Sequence, residues 1–426
     1  MNYEQALEYI HSIRQYNTKP GLRRIENLLH ELGNPEKKMN YVHVAGTNGK
    51  GSATAMSTSV LEAAGYKTGS FISPFLERFN ERMQVSGEPI PDDRLVELTE
   101  QVKAAAERVD ERGIAHTTFF EFLTAMAFEY WAQEKCDFVA LEVGMGGRLD
   151  ATNVIDSPAV TIIGPISFDH THYLGYTLTE IAYEKCGVIK PGSKVVCYAE
   201  QNEEAKRVIE AVCRERGAEF IQPDPSKVEI VSTGIGENRF RYDGLDVKLP
   251  LMGRHQVMNA IGVIEAMRAL RRSGYHISED DILHGLEETK WVGRLEIVKR
   301  DPLTIIDAAH NPDAVRVLSD SVDGLMKGRR IVAVMGMLAD KDYSYCIPEI
   351  AKRADAFVAC TPTSGRALEA SETAAVASAH CKNVEIVPDI CEAVERGLAL
   401  TGKDDILLIC GSLYVIGVAK THLRSL

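Results

Sequence analysis

The chain has no Cys-x-x-Cys pair, no basic tract, and no uninterrupted apolar run of the roughly 18–20 residues needed to cross a bilayer. Each absence removes a class of function. The nine cysteines (Cys136, Cys186, Cys197, Cys213, Cys346, Cys360, Cys381, Cys391 and Cys410) are scattered and odd in number. That argues against a disulfide framework or a zinc ribbon and for reduced, mostly buried thiols. The start, Met1-Asn2-Tyr3-Glu4-Gln5, brings an acid early and no apolar signal region, so a cytoplasmic protein without membrane association is expected. Lys plus Arg number 48 against 61 Asp plus Glu, a formal net charge of −13. Such a chain is poorly suited to nucleic acid and should bind anions only where backbone N–H groups, a lysine or a metal ion overcome the general field. Repeats of solenoid period and low-complexity tracts are also missing.

What is present is the balance of a globular protein: 426 residues, 45% apolar and 26% charged, too long for one core and suited to two or three domains. Short β-rich runs alternate with helical stretches. Runs 41–45, 138–143 and 194–198 are nearly continuously apolar, as buried parallel strands are. Thr118-Phe119-Phe120-Glu121 reads as a capping box that opens an apolar helix toward Trp131. Segment 222–250, with its alternating residues and Gly turns, predicts a small antiparallel excursion. The β/α rhythm restarts after about residue 296, with strand-like runs at 304–307, 330–335, 356–360, 384–387 and 406–410. The expected fold class is therefore α/β. A domain over 1–296, with a parallel sheet, the antiparallel excursion and a glycine-rich loop at 46–52 of the kind found in phosphate-loop ATPase domains, precedes a Rossmann-like α/β domain (297–426), the boundary falling in 294–302.

The strongest chemical signal is Gly46-Thr47-Asn48-Gly49-Lys50-Gly51-Ser52, which follows the first strand and leads into a helical run from about Ala53 to Ala64. Backbone N–H groups and the positive end of a helix dipole would face a phosphate there, and Lys50 adds a full charge. The common loop Gly-x-x-x-x-Gly-Lys-Ser/Thr would need Gly at 44 and a hydroxyl at 51, where this chain has Val44 and Gly51. The hydroxyl is displaced by one position to Ser52.

This loop resembles that of the Mur-ligase superfamily, in the form found in folylpolyglutamate and dihydrofolate synthases. The resemblance continues in Ser73-Pro74-Phe75-Leu76, Arg78-Phe79-Asn80-Glu81-Arg82 and Glu142-Val143-Gly144-Met145-Gly146-Gly147-Arg148-Leu149-Asp150-Ala151-Thr152-Asn153. It includes Asp169-His170, Leu174-Gly175, Glu184-Lys185-Cys186-Gly187 and Gly253-Arg254-His255-Gln256-Val257-Met258-Asn259-Ala260. Gly293-Arg294-Leu295-Glu296, His310-Asn311-Pro312, Asp340-Lys341-Asp342 and Gly411-Ser412-Leu413-Tyr414 complete the series, which runs nearly the whole chain in the family's order.

The resemblance implies an ATP-dependent amide ligase that joins L-glutamate to reduced folate, or dihydropteroate to L-glutamate, through an acyl phosphate. It implies ATP contacts at Gly49, Lys50, Gly51, Ser52, Asn259 (adenine), Arg294 (phosphates) and Asp307 (ribose). Mg2+ is implied at Ser73, Glu142 and His170. Physically, Glu142 closes an apolar strand, where a carboxylate is costly unless it meets a cation. Mg2+ takes few protein ligands and keeps several waters. Read singly, Glu142 could be an ion pair, His170 a capped core histidine and Ser73 a turn hydroxyl, and His172 is the competing ligand. Lys185 lies in an apolar neighbourhood. It reads either as a snorkelling lysine or, as in similar enzymes, as a carbamylated lysine that assists a second metal ion. His310 is expected beside the reacting carboxylate. Phe75, Arg82, Ser412 and Tyr414 are expected at the substrates, with Arg82 able to pair bidentately with a carboxylate.

Three departures from the family pattern stand out. Trp291-Val292-Gly293-Arg294 lacks the usual Pro, Asp307-Ala308-Ala309-His310-Asn311-Pro312 lacks the usual Gly, and Phe75 stands where many relatives carry His. The first two alter backbone freedom near the boundary, and the third alters packing on the pterin side. A Mur-type ligase for another carboxylate acceptor is the competing reading. Those enzymes usually carry a further N-terminal domain of about 100 residues, whereas only about 40 residues precede the first strand here. A nucleotide-driven switch that makes no bond is the alternative from another class. A monomer is expected.

Overall fold

The computed structural model of the chain describes residues 1–13, 21–113 and 116–426. Strands β1 (Asn40–Ala45), β2 (Thr68–Phe71), β3 (Met83–Val85), β4 (Glu88–Pro89), β5 (Phe138–Glu142), β6 (Val160–Ile163), β7 (Lys194–Cys197) and β8 (Glu219–Ile221) form one eight-stranded sheet. Its order is β4-β3-β2-β5-β1-β6-β7-β8. Pairing is parallel from β2 across to β8, and β3 and β4 add an antiparallel edge. The central strands are apolar throughout because helices cover both faces. On one face Val42, Val44 and Ile162 pack with Met56 and Val60 of the helix Lys50–Ala63 and Ile261 of the helix Arg254–Arg272. On the other, Tyr41, Val139 and Leu141 meet Leu98 of the helix Asp92–Glu111 and Phe128 of the helix Phe119–Gln133. The Thr118 N–H donates to Glu121 at 2.8 Å, which caps that last helix where the sequence predicts.

The antiparallel excursion is a three-stranded sheet of β9 (Val228–Gly234), β10 (Glu237–Tyr242) and β11 (Leu245–Leu249), in the order β11-β10-β9. In β11, Leu245, Val247 and Leu249 face the core while Asp246 and Lys248 face solvent, the period of a half-buried strand.

The third sheet contains β12 (Glu296–Arg300), β13 (Leu303–Asp307), β14 (Ile331–Met335), β15 (Ala356–Ala359), β16 (Val384–Ile386) and β17 (Ile406–Cys410), in the order β12-β13-β17-β14-β15-β16. All pairs are parallel except β12 with β13. Here two details of the sequence reading change. Stretch 294–302 contains the edge strand β12, and Asp307 therefore closes the second strand of this sheet rather than its first. With Glu296, Lys299 and Arg300 among its five residues, β12 has no continuous apolar run to announce it. The helix after the phosphate loop also begins at Lys50, three residues earlier than the apolar pattern indicates. All nine cysteines are free thiols, buried except for the partly exposed Cys391. Among the described residues no helix is long and apolar enough to cross a membrane.

Candidate active site

Strand β1 lies between β5 and β6, and its carboxyl end opens into the loop 46–49 and then the helix Lys50–Ala63. Crevices beyond the carboxyl ends of parallel strands are where ligands bind in such sheets. Gly49 adopts φ 75°, a left-handed conformation, and a Cβ there would come within 2.9 Å of the Asn259 side chain. At Gly51 a Cβ would stand 2.3 Å from the ring of Trp291. The indole thus occupies the place a side chain at 51 would need, which gives a steric reason for the hydroxyl at Ser52. Gln256 Nε2 donates to Ser52 Oγ at 3.1 Å, and Asn259 Nδ2 donates to Gln256 Oε1 at 3.1 Å. Lys50 Nζ donates to the carbonyls of Gly46 (3.2 Å) and Thr47 (3.1 Å), and Lys185 Nζ donates to the same Gly46 carbonyl at 2.8 Å. Two lysines therefore converge on one peptide of the loop.

A cavity of about 670 Å³ runs between the first and third sheets, lined among others by Asn48, Gly49, Ser52, Asn259, Arg294 and Asp307. All of these except Asn48 are among the residues the resemblance assigns to ATP, whereas Lys50 and Gly51, assigned with them, lie outside the lining. Asp307, 6% exposed, accepts the N–H groups of Leu295 (2.8 Å) and Ala309 (2.7 Å). Its carboxylate therefore fixes the turn on both sides of the strand end as well as facing the cavity. Burial pushes its carboxyl above the usual range, against the pull of Arg294. His310 also lies outside this lining. Its Nδ1–H donates to Ala308 O at 2.8 Å, leaving Nε2 as the acceptor, and burial with the Lys341 ammonium nearby lowers it to about 4, a neutral imidazole.

Glu142 ends β5 with its side chain buried, and it accepts the Ser73 N–H at 3.4 Å. Burial raises it to about 7, while Lys50 and Arg294 favour the charged form. A carboxylate set in this way, beside a serine and in the field of the loop lysine Lys50, suits a hard divalent cation. His170, at φ 51°, precedes the short helix Thr171–Leu174 and feels Asp169, Lys341, Lys50 and Lys185. Among the described residues no three His, Cys, Asp or Glu side chains stand close enough to hold a metal ion by themselves. A hydroxyl, phosphate oxygens and water would have to complete the shell. His172 is exposed and sits edge-on to Tyr176. Lys185 is buried, and desolvation with Lys50 close by lowers it to about 7, so the free amine is accessible near neutrality.

Arg82 is 8% exposed, and its guanidinium lies over the rings of Phe75 (5.2 Å), Phe79 (5.6 Å) and Phe119 (5.9 Å). Its Nε is buried without a hydrogen-bond partner, and burial lowers the group to about 10 although Tyr414 and Glu142 favour its charge. Ser412 caps the helix Leu413–Leu423, its hydroxyl accepting the Tyr414 N–H at 3.2 Å, and Tyr414 is 42% exposed. Since Asp307 pairs with Cys410 across the sheet, Ser412 and Asp307 belong to the same end of the second domain's strands.

The structure adds residues to which the sequence reading gave no role. Asn48 Nδ2 donates to Asp313 at 3.1 Å, and Asn311 Nδ2 donates to Asp169 at 3.1 Å. Lys341 pairs with Asp169 at 2.9 Å, both largely buried. These contacts join the phosphate loop and the His170 turn to the second domain. Asn311, Asp169 and Lys341 fall in motif blocks, but their partners are visible only once the two sheets are brought together.

A phosphate loop on a central parallel strand, a second α/β sheet closing over it and a large cavity between them define a two-domain nucleotide-dependent ligase of the Mur type. Residues 44–267 match the Mur ligase middle domain family, and residues 293–413 match the Mur ligase, glutamate ligase domain family. The chain belongs to the folylpolyglutamate synthase/dihydrofolate synthase family of ATP-dependent ligases. It is 36% identical to the dihydrofolate synthase/folylpolyglutamate synthase of Bacillus subtilis, over 99% of both chains. Its fold superposes on the crystal structure of folylpolyglutamate synthase from Thermotoga maritima with a TM-score of 0.87 at 33% identity, covering 99% of this chain and 97% of that one. The Mycobacterium tuberculosis folylpolyglutamate synthase, solved with ADP and AMPPCP, superposes with a TM-score of 0.89 at 29% identity, covering 99% of each.

Proposed function

We propose that this ligase adds L-glutamate to a reduced folate, with ATP in the cavity at the phosphate loop and the acceptor carboxylate between Arg82 and Glu142. The observation that carries this reading is the position of Glu142. From the nucleotide side it lies in the field of Lys50 and Arg294, and from the other it contributes to the field of Arg82.

A free carboxylate is a poor acyl donor because oxide cannot leave. Transfer of the γ-phosphoryl group from ATP to a carboxylate oxygen breaks the terminal phosphoanhydride bond and makes an acyl phosphate. The glutamate amine then attacks the acyl carbon and loses a proton, and phosphate departs with the C–O bond electrons. Lys50 and the loop N–H groups hold the transferring charge. Arg82 holds the acceptor, as its unpartnered Nε and its aromatic surround suit an anion attached to a ring-bearing molecule. Phe75 provides one of those rings, and Ser412 and Tyr414 offer a hydroxyl each to the incoming amino acid. The neutral Nε2 of His310 can accept from its amine. Asn259, Arg294 and Asp307 hold the nucleotide, with Gly49, Gly51 and Ser52 shaping the phosphate end.

Mg2+ would be held by Ser73, Glu142 and His170, where it supplies positive charge to the phosphates. A carbamate on Lys185 would supply an anionic oxygen donor to a second metal ion. Residues 1–296 and 297–426 act as two domains whose closure excludes water from the acyl phosphate. The enzyme works as a cytoplasmic monomer. The deciding assay is phosphate release with ATP, Mg2+ and glutamate, run separately with dihydropteroate and tetrahydrofolate. Release with tetrahydrofolate alone identifies a polyglutamylating enzyme and release with both a bifunctional one; release with neither rejects the reading.

A further inference from the structure

The loop that carries Ser73, Phe75 and Arg82 is fastened to the last helix of the chain. Leu76 follows β2 of the first sheet, yet its side chain packs in the second domain's core with Ile306, Ile416 and Ala419. A Cβ at Gly417 would lie 2.3 Å from the Leu76 carbonyl oxygen, so this close approach needs glycine. The next residue, Glu77, accepts from Thr421 Oγ1 at 3.2 Å and from Arg424 at 2.8 Å, and stands 3.8 Å from Lys420 Nζ.

Lys420 is 4% exposed, and its ammonium also pairs with Glu296 at 2.7 Å. Glu296 in turn accepts the N–H of Gly293 at 2.8 Å, next to Arg294 at the nucleotide cavity. Onward from Glu77 the turn is stiff: Glu81 accepts the N–H groups of Leu76 (2.8 Å), Glu77 (3.1 Å) and Arg78 (2.7 Å), and Arg82 follows directly. One buried ammonium therefore bridges the segment that ends at Arg294 and the segment that ends at Arg82. Glu296 is the close partner of this buried lysine and Glu77 the more distant one, so withdrawing either carboxylate leaves the ammonium less compensated in a poorly hydrated place.

We propose that Lys420 is a positioning residue for ligation, coupling the arm that holds ATP to the loop that holds the acceptor, so that each ligand tightens the other. This rests on the assignment of Arg82 to the acceptor and Arg294 to the nucleotide. Coupling of this kind is a ratio of affinities and is reciprocal.

The test is the dissociation constant of tetrahydrofolate, measured with and without a saturating non-hydrolysable ATP analogue and Mg2+. The full chain is compared with Lys420→Met, Lys420→Arg and Glu77→Gln, with a thermal melt of each. Nucleotide should tighten tetrahydrofolate by about fivefold or more in the parent protein, and the ratio should fall to near one in Lys420→Met and Glu77→Gln. Lys420→Arg, which keeps the charge, should restore most of it. Glu77→Gln leaves the Lys420–Glu296 pair intact, so it decides the matter if Lys420→Met does not fold. A merely structural lysine would lower the melting temperature and leave the ratio in the folded protein unchanged, and that result overturns the proposal. An unchanged ratio in folded Glu77→Gln, or no coupling in the parent, overturns it equally. Arg82→Ala separates the two levels. Normal tetrahydrofolate binding in that variant removes the acceptor assignment and this proposal with it. Loss of binding there, together with an intact ratio in Glu77→Gln, removes only the proposal.

Discussion

Asn48 and Asn311 hydrogen-bond to each other through both side-chain amides, at 3.4 and 3.1 Å, although 263 residues separate them in the chain. The tip of the phosphate loop is thus held by the residue that caps the helix Pro312–Leu325 of the second domain. Asn311 Oδ1 performs that capping by accepting the Ala314 N–H at 2.9 Å. Loop and second domain share one amide group.

Asn311→Asp keeps an oxygen for the cap but loses the amide donor to Asn48 and Asp169. It also adds a negative charge beside Asp169, which burial disfavours but the ammonium of Lys341 holds well below the usual carboxylate range. The cap is preserved, but two buried amide contacts are lost and a like charge is added, so a stability loss of about 1–3 kcal/mol by chemical denaturation is expected. Ligation by the folded protein should also fall by about tenfold or more, because orientation of the closed site is lost. Full activity in the folded protein would show that the link only holds the fold.

Lys50→Ala removes the one full charge of the phosphate loop. Its amine bonds only to loop carbonyls, so the fold should melt as before, while kcat should drop by at least about 10²-fold, the scale set by removing one transition-state donor. Near-normal turnover would reject the role.

Glu142→Gln should raise the Mg2+ concentration needed for half-maximal rate or abolish activity. Since burial raises this carboxyl to about 7, protons and metal compete for it in the apo enzyme. The apparent Mg2+ requirement of the parent should therefore increase as pH falls from about 8 to 6. That slope should vanish in the Glu142→Gln variant wherever it retains activity. Unchanged metal dependence at every pH would count against Glu142 as a ligand.

Lys185 should carry one CO2 adduct in protein prepared gently at about pH 8 with bicarbonate. Its ammonium loses its proton near 7, because burial and the neighbouring Lys50 disfavour the charge. Only the free amine captures CO2, so the adduct should disappear as pH falls below that value. Intact-mass analysis reads it directly, and an unmodified lysine at high pH with bicarbonate would discard the carbamate.

The phosphate loop is legible in the sequence because its geometry demands particular residues at fixed spacing: glycine at 49 for a left-handed φ, lysine at 50, a hydroxyl at 52. The buried strands are legible because two covered faces require uninterrupted apolar residues. β12 is not, since an edge strand pairs on one side and tolerates Lys299 and Arg300. Nor can spacing reveal that Asp169 is shared by Asn311 and Lys341. That contact depends on how two sheets meet, which no local pattern encodes. Family pattern alone sets His310 beside the reaction; its hydrogen bond to Ala308, which fixes the tautomer, emerges only with the turn itself.

The indole over Gly51 has a consequence for engineering. Swapping in threonine, as the ordinary ATPase signature has at this position, would put its Cβ alone 2.3 Å from the aromatic ring, before either branch is added. Such a redesign must trim Trp291 in the same step, so what position 51 can become is set by a residue 240 positions further along the chain.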